Sequence, residues 1–477
     1  MEETQILPRF PMGKREAFYA VFLFFINLLL WDSLLYGGGF NLGFSLGILG
    51  ILGATAWYLR ASGARFGGYS RSLLILTAVI AAGYARSGDE ALKVLLLPPM
   101  TLGASLAFLL AAGQNRRDPG TLGTLLDSFR GIFPLGFGSM GPAVRGMRMP
   151  GSAEKKQVGP ALLGLLLAVP VVGILTFLLT QADAAFAAIF AHFPKIQLSE
   201  PILDLIFGAF FGLLFYAHGL GLKNRQTPEP APVHPSPFKS LTVNILLGAA
   251  CAVYAVFFLS QFAYLSGGFA GILPEDFTAA EYARRGFFEM AWLGALNLSL
   301  MVLALKPGDR LTKWLSLALG VVTVVLCTLA AAKMVLYITR FGLTRLRVNT
   351  MAFMVFLGAA AVFVSIRLFR KNFGYMKGAV LAALILGAAL LWADVDRVVA
   401  DYNVRAYESG SLASIDLEHL GTLGDGALPA LKRLSQTQDK AVAREAGEIL
   451  RERLKNREPI ADFRFWNLSR AIGDKQK

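Results

Sequence analysis

Apolar positions in this chain come in unbroken runs of about twenty residues, separated by short polar or basic connections, as far as Val395. A run of that length crosses roughly 30 Å of hydrocarbon as a helix, whereas a membrane strand would alternate apolar and polar positions. The pattern therefore predicts an all-α fold, a polytopic transmembrane helix bundle of about eleven spans. They fall near 16–36, 40–59, 70–86, 92–113, 158–180, 201–222, 240–263, 286–305, 314–337, 350–369 and 377–395. The first is read as a retained helix, because no small-residue cleavage pattern follows it. From Asp394 onward the pattern changes to charged segments with apolar residues at helical spacing. Val442, Ala446, Ile449, Leu450 and Leu454 make one stripe; Leu428, Leu431 and Leu434 make another after the turn signal Gly424-Asp425-Gly426. They predict a small C-terminal helical domain able to dock on the membrane face or on a protein partner. The expected organisation is an N-terminal membrane bundle of six spans at 1–222, a proline-rich cytoplasmic linker at 223–239, a C-terminal bundle of five spans at 240–395 and a soluble helical tail at 396–477.

Lys and Arg set the orientation. Connections on the same side as the N-terminus carry about three times as many as those on the other side, which predicts a cytoplasmic N-terminus and an extracytoplasmic tail. Composition agrees with a lipid environment: 55% of residues are hydrophobic and the mean hydropathy is +0.54. The net charge of +14 sits mostly in short connections, so it points to lipid headgroups and not to nucleic acid.

Candidate chemistry is sparse. Cys251 and Cys327 each lie inside an apolar run, and His192, His218, His234 and His419 are scattered without ligand spacing, so neither a disulfide framework nor a metal site is expected. No G-x-S-x-G elbow or recognisable nucleophile and base set occurs; no catalytic residue and no cofactor is expected. Gly136, Gly138 and Gly141 have the spacing G-x-G-x-x-G, but Pro134 and Pro142 flank them where a dinucleotide fingerprint needs a strand and a helix. A flexible basic loop near headgroups is the expected reading of 114–157. In the second span Gly43, Gly47, Gly50 and Gly53 fall near one helix face and predict close packing against another helix. Pro98 and Pro99 should kink the fourth span.

Charge inside apolar segments is the strongest functional pointer, since ionisable groups are costly in lipid. Asp32, Asp204, Glu281 and Glu289 fall toward the predicted outer half, with Lys333 on the next helix at the same estimated height as Glu289. Glu289 and Lys333 are expected to pair or to share a ligand. Arg284, Arg285, Arg340 and Arg345 gather at the same level and suit an anion, because guanidinium forks match carboxylate and phosphate.

Four stretches, FTAAEYARRGFFEM, FGLTRLRVNT, DRVVADYNVRAYESG and FRFWNLSR, carry a resemblance to a family of bacterial polytopic membrane proteins known only as a domain of unknown function. The A-E-Y-A-R-R-G-F-F-E run from Ala280 to Glu289 and the W-N-L-S-R tail are its most specific parts. The resemblance implies a multi-pass protein of the bacterial inner membrane and assigns no role to any residue. The expected function is to bind or sense a ligand or partner at the outer leaflet without catalysis. The alternatives are a secondary transporter of a small anionic solute and a membrane enzyme acting on a lipid-linked substrate.

Overall fold

The computed structural model describes residues 10–36, 39–147, scattered positions between 164 and 186, 200–225, 228–232, 238–269, 287–306, 309–456 and 462–475. The fold is all-helical, with no strand among the described residues. Six helices form the first part: α1 (Lys14–Leu35), α2 (Leu42–Ala61), α3 (Gly68–Gly83), α4 (Glu90–Ala111), α5 (Gly123–Arg130) and α6 (Gly136–Gly146). Then come α7 (Glu200–Asn224), α8 (Ser240–Phe269), α9 (Phe287–Leu303), α10 (Arg310–Phe341), α11 (Arg345–Phe369) and α12 (Tyr375–Ala393). The tail holds α13 (Val395–Glu408), α14 (Leu417–Thr422), α15 (Leu428–Leu434), α16 (Lys440–Lys455) and α17 (Leu468–Asp474). Among the described residues, 8 helices are long and apolar enough to cross a membrane, while Gly68–Gly83 and Glu289–Leu303 are shorter apolar helices. These make the chain a multi-pass membrane protein by length and composition. The span expected over 158–180 lies largely outside the described residues.

Helices α1, α2 and α7 pack at close range because glycines remove the Cβ at their contacts. A Cβ on Gly47 would stand 2.7 Å from the Leu30 side chain, and one on Gly212 would meet the Phe24 backbone at 3.2 Å. The glycine face predicted on α2 thus packs on α1 at Gly43, Gly47 and Gly50, while Gly53 meets nothing within 4 Å. Near one end of α1, Tyr19 and Tyr58 stack with ring centroids 4.4 Å apart, and the buried Glu16 carboxylate accepts from Lys223 at 2.7 Å and Tyr58 at 3.2 Å. A second core joins α8, α9, α10 and α11 through Leu247, Met301, Leu326 and Ala361. Its polar link is Asn297, which accepts from the Tyr254 hydroxyl and donates to Thr323, both at 3.0 Å. Helix α12 packs against α3, α4 and α11, so the last span touches both groups of spans.

The segment 114–146 corrects the loop expected there. It contains α5, a π turn over Gly131–Leu135 and α6, end to end. Pro134 explains the π turn: it has no N–H to give and its ring would strike the carbonyl one turn earlier, so the helix widens. Gly136, Gly138 and Gly141 therefore lie within or at the start of a helix and form no phosphate-binding loop.

The tail packs as its stripes predict. Leu428, Leu431 and Leu434 are fully buried, Ala446 and Leu450 are buried, and Val442, Ile449 and Leu454 pack against them. Its helix α13 contributes Val395, Val399, Ala400 and Val404 to the same core, which is continuous with that of α1 to α4.

Candidate functional site at the tail junction

Two turns between membrane helices, and the turn that leads from the last of these helices into the tail, reach the end of the bundle where the tail sits, and each is held by a tail side chain. The first is the α3–α4 turn. Asn467 donates from Nδ2 to the carbonyls of Tyr84 (3.2 Å) and Ser87 (2.8 Å), and its Oδ1 caps α17 by accepting from Ser469 N at 2.9 Å. The backbone of the same segment adds Leu468 N to Ala85 O at 2.9 Å and Ser469 N to Arg86 O at 3.2 Å. One residue earlier, Trp466 O accepts from Leu42 N at 3.0 Å, which ties in the start of α2.

The second is the α10–α11 turn. Gly342 has φ +78°, a left-handed conformation that glycine adopts without strain, and an added Cβ would stand 2.7 Å from Asn403 Oδ1. Asn403, on α13, accepts from Leu343 N at 2.6 Å and donates to Leu343 O at 2.9 Å. Arg347 stacks its guanidinium 4.2 Å over the Tyr337 ring and donates to the Phe341 carbonyl at 3.0 Å. At the start of α11, Arg345 reaches Asp396 with two bonds, Nε to Oδ1 and Nη2 to Oδ2 at 2.8 Å. Asp396 is fully buried, and its Oδ2 also accepts from Gly424 N at 2.8 Å.

The third is the α12–α13 turn, made by Asp394 at φ 54°. Its carboxyl is 4% exposed, and burial pushes its pKa up, with Ser469 and the Gly88 amide pulling the other way and Asp396 adding to the rise. Gly426 lets both side chains close over this turn: a Cβ there would stand 2.8 Å from Asp394 Oδ2 and from Ser469 Oγ, so one of them would have to shift. Beside this turn Asp89 caps α4 by accepting from Leu92 N at 3.0 Å. Lys93, 0% exposed, donates to Phe40 O and to Glu90, both at 2.7 Å. The junction therefore collects Asp89, Asp394 and Asp396 with Lys93 and Arg345 in a water-poor space. No group of His, Cys, Asp and Glu able to hold a metal ion occurs among the described residues.

A carboxyl whose folded pKa lies above its usual value of 3.8 binds more protons folded than unfolded, so folding stability falls as pH rises through that range and stays lowered above it. Asp394→Asn keeps a residue type tolerant of φ above zero and removes the buried charge. It is expected to raise the melting temperature by a few degrees at neutral pH and to lose that gain below about pH 4. A lower melting temperature at neutral pH would show that the ionised carboxylate is needed there.

Next to the junction, a cavity of about 580 Å³ is lined by Leu28, Leu29 and Asp32 of α1, Pro201, Asp204 and Leu205 of α7, and Asp462, Phe463 and Arg464 of the tail. Arg464 bridges its walls: it bonds Asp32 through Nη1 and Asp462 through Nε at 2.9 Å. That double engagement holds the guanidinium pKa above its usual value, with the Asp462 bond as the larger cause.

The structure places the residues singled out in the sequence as follows. Asp32 and Asp204 line one cavity. Arg345 belongs to the junction through Asp396, and Arg340 is exposed near the end of α10. Glu289 is exposed and Lys333 half-buried on the neighbouring helices α9 and α10. Glu281, Arg284 and Arg285 lie outside the described residues. Sequence reasoning passed over Asp89, Lys93, Asp396, Asn403 and Asn467. The signal was present in the Asp394-Val395-Asp396 pair directly after an apolar span and in the stretches of the resemblance, of which three meet in this junction.

The fold and the junction define a class: an all-helical, multi-pass membrane protein with a helical tail fastened to one end of its bundle. Within that class, the chain belongs to the family described as "Domain of unknown function (DUF4153)", whose model matches residues 18–434. The match takes in Arg345, Asp394, Asp396 and Asn403 and stops before Asn467 and Ser469. Comparison with curated proteins finds no match, and comparison with solved structures finds none.

Proposed function

We propose that this protein binds or senses a ligand at the tail end of its bundle, with that end outside the cytoplasm, and that it does so without catalysing a reaction. The cavity carries the reading, because its wall is shared by α1, α7 and the tail. A ligand seated there touches two spans and Phe463-Arg464 at once, so occupancy and tail position are linked. The orientation rests on the excess of Lys and Arg at the opposite end. Two carboxylates, Asp32 and Asp462, share the one Arg464 guanidinium in the cavity, and Leu28, Leu29, Leu205 and Phe463 supply apolar wall, which suits an amphiphile with a cationic group.

One experiment addresses both claims. Phe463 lines the cavity and is 55% exposed, so Phe463→Cys in intact cells is expected to react with a membrane-impermeant maleimide. A long-chain alkylammonium should slow that reaction several-fold, and an alkyl sulfate of equal length should not. Reaction only in inverted vesicles would overturn the orientation. Equal protection by both amphiphiles, or by neither, would overturn the ligand class.

A further inference from the structure

The opposite end of the bundle holds a second pocket of a different kind. Its volume is about 290 Å³ and it lies between α2, α4, α7 and the π turn, walled by Ile51, Met100, Phe108, Phe133, Phe137 and Phe215 among others. Thr55, Thr101, Ser105 and His218 supply its few polar side chains. The three hydroxyls are turned to protein partners: that of Thr55 meets Tyr19 Oη at 3.0 Å, Thr101 donates to Leu97 O at 2.9 Å, and Ser105 donates to Ser128 O at 2.8 Å. The pocket thus offers a guest apolar surface and few hydrogen bonds. Measured along α2 from its Ala61 end, Thr55 and Ile48 lie about 9 and 20 Å deep, so the pocket runs through the acyl region of the leaflet on that side and ends just past the midplane.

The helical segment beside it is turned inside out relative to a soluble protein. Leu122, Leu125, Leu126, Phe129, Phe133 and Phe137 form an exposed apolar stripe. On its inner side Asp127 is 1% exposed and accepts from the amides of Arg116 and Arg117, each at 2.7 Å. An exposed apolar stripe over a polar inner face is the arrangement of a helix lying in the headgroup and acyl boundary. Phe133 and Phe137 belong to both the stripe and the pocket, so the pocket opens sideways through them.

Charge sits beside the same opening. A Cβ on Gly138 would stand 3.0 Å from Arg225 Nη2 and one on Gly141 would stand 3.4 Å from Arg145 Nη1, so the glycines let both guanidiniums approach the α6 backbone next to Phe137. Arg225 is held there by its Nε bond to Ser139 Oγ at 3.2 Å. An apolar slot at acyl depth, opening to the side, with two guanidiniums near its mouth, matches one ligand in both shape and charge. We propose that it holds one acyl chain of an anionic phospholipid from this leaflet, with the lipid phosphate against Arg145 and Arg225. The G-x-G-x-x-G spacing then serves guanidinium approach, on a helix, and no nucleotide.

The test uses the full chain in lipid nanodiscs containing either phosphatidylglycerol or phosphatidylcholine with identical chains, each carrying a photoreactive group midway along one chain. Phosphatidylglycerol is expected to label peptides containing Phe108, Phe133, Phe137 or Phe215 several-fold more than phosphatidylcholine does. Arg145→Gln with Arg225→Gln should bring the two lipids level. Ala104→Phe, which fills the slot, should remove labelling at these peptides and spare labelling elsewhere. Equal labelling by both lipids in the unaltered protein, or labelling spread evenly over all lipid-facing helices, overturns the proposal. Should Ala104→Phe fail to fold, the wild-type distribution and the arginine variant still decide it.

Discussion

Arg345→Gln is expected to lower the stability of the detergent-solubilised protein by roughly 3 kcal/mol, near the low end of what breaking a buried ion pair costs. The reason is asymmetry between the partners. Asp396 is completely buried, whereas the Arg345 side chain keeps 31% of its surface exposed. Removing the arginine strands a carboxylate that retains only the Gly424 amide as a described donor, and the desolvation cost of that charge is no longer offset. Asp396→Asn should cost less, since the guanidinium it releases can turn toward water and still reach the Thr422 carbonyl at 3.4 Å. The double variant Arg345→Met with Asp396→Leu is expected to recover part of the single-variant loss, because two matched apolar groups leave no buried charge. Strict additivity in thermal melts of Arg345→Met, Asp396→Leu and their combination would mean that the pair contributes nothing as a pair.

Arg345 also marks how far the sequence could be read. Its placement in an apolar neighbourhood made it a candidate, because charge near lipid is costly in any fold. Its partner was out of reach of that reasoning. Asp396 lies beyond the last span, where charges are cheap, and only the left-handed turn at Asp394 brings it back over the end of α11. The eight long apolar helices among the described residues were legible because continuous apolar runs have few other solutions in a membrane. The same holds for the tail stripes at Leu428 and Ala446, whose period fixes the buried face. The helix over 123–146 was not legible: glycine and proline at its centre read as a loop, and packing against α4 and α7 overrode that local preference. Asp32 and Asp204 were both recognised as charges toward one end, yet their sharing of a cavity depends on α1 lying against α7, a pairing that no local pattern records.

Asn467→Ala is expected to loosen the last segment of the tail from the α3–α4 turn without melting the spans. Asn467 is 3% exposed and holds the Tyr84 and Ser87 carbonyls while capping α17. Truncation leaves two buried carbonyls without that donor, at about 1–3 kcal/mol for each that water cannot reach, while the Ser469 amide keeps its bond to Arg86 O. Because these bonds join two elements and not the interior of either, the loss should fall on docking. Hydrogen exchange is then expected to speed up several-fold at Leu42, Leu468 and Ser469, whose amides donate across this seam, while amides in the middle of α1, α4 and α7 keep their protection. Asn467→Asp should be worse than alanine, since its carboxylate would face the carbonyls of Tyr84 and Ser87. If exchange instead rises throughout the spans in step with the tail, the tail and the bundle are one cooperative unit. The linkage between cavity occupancy and tail position would then have to act through the whole fold and not through this seam.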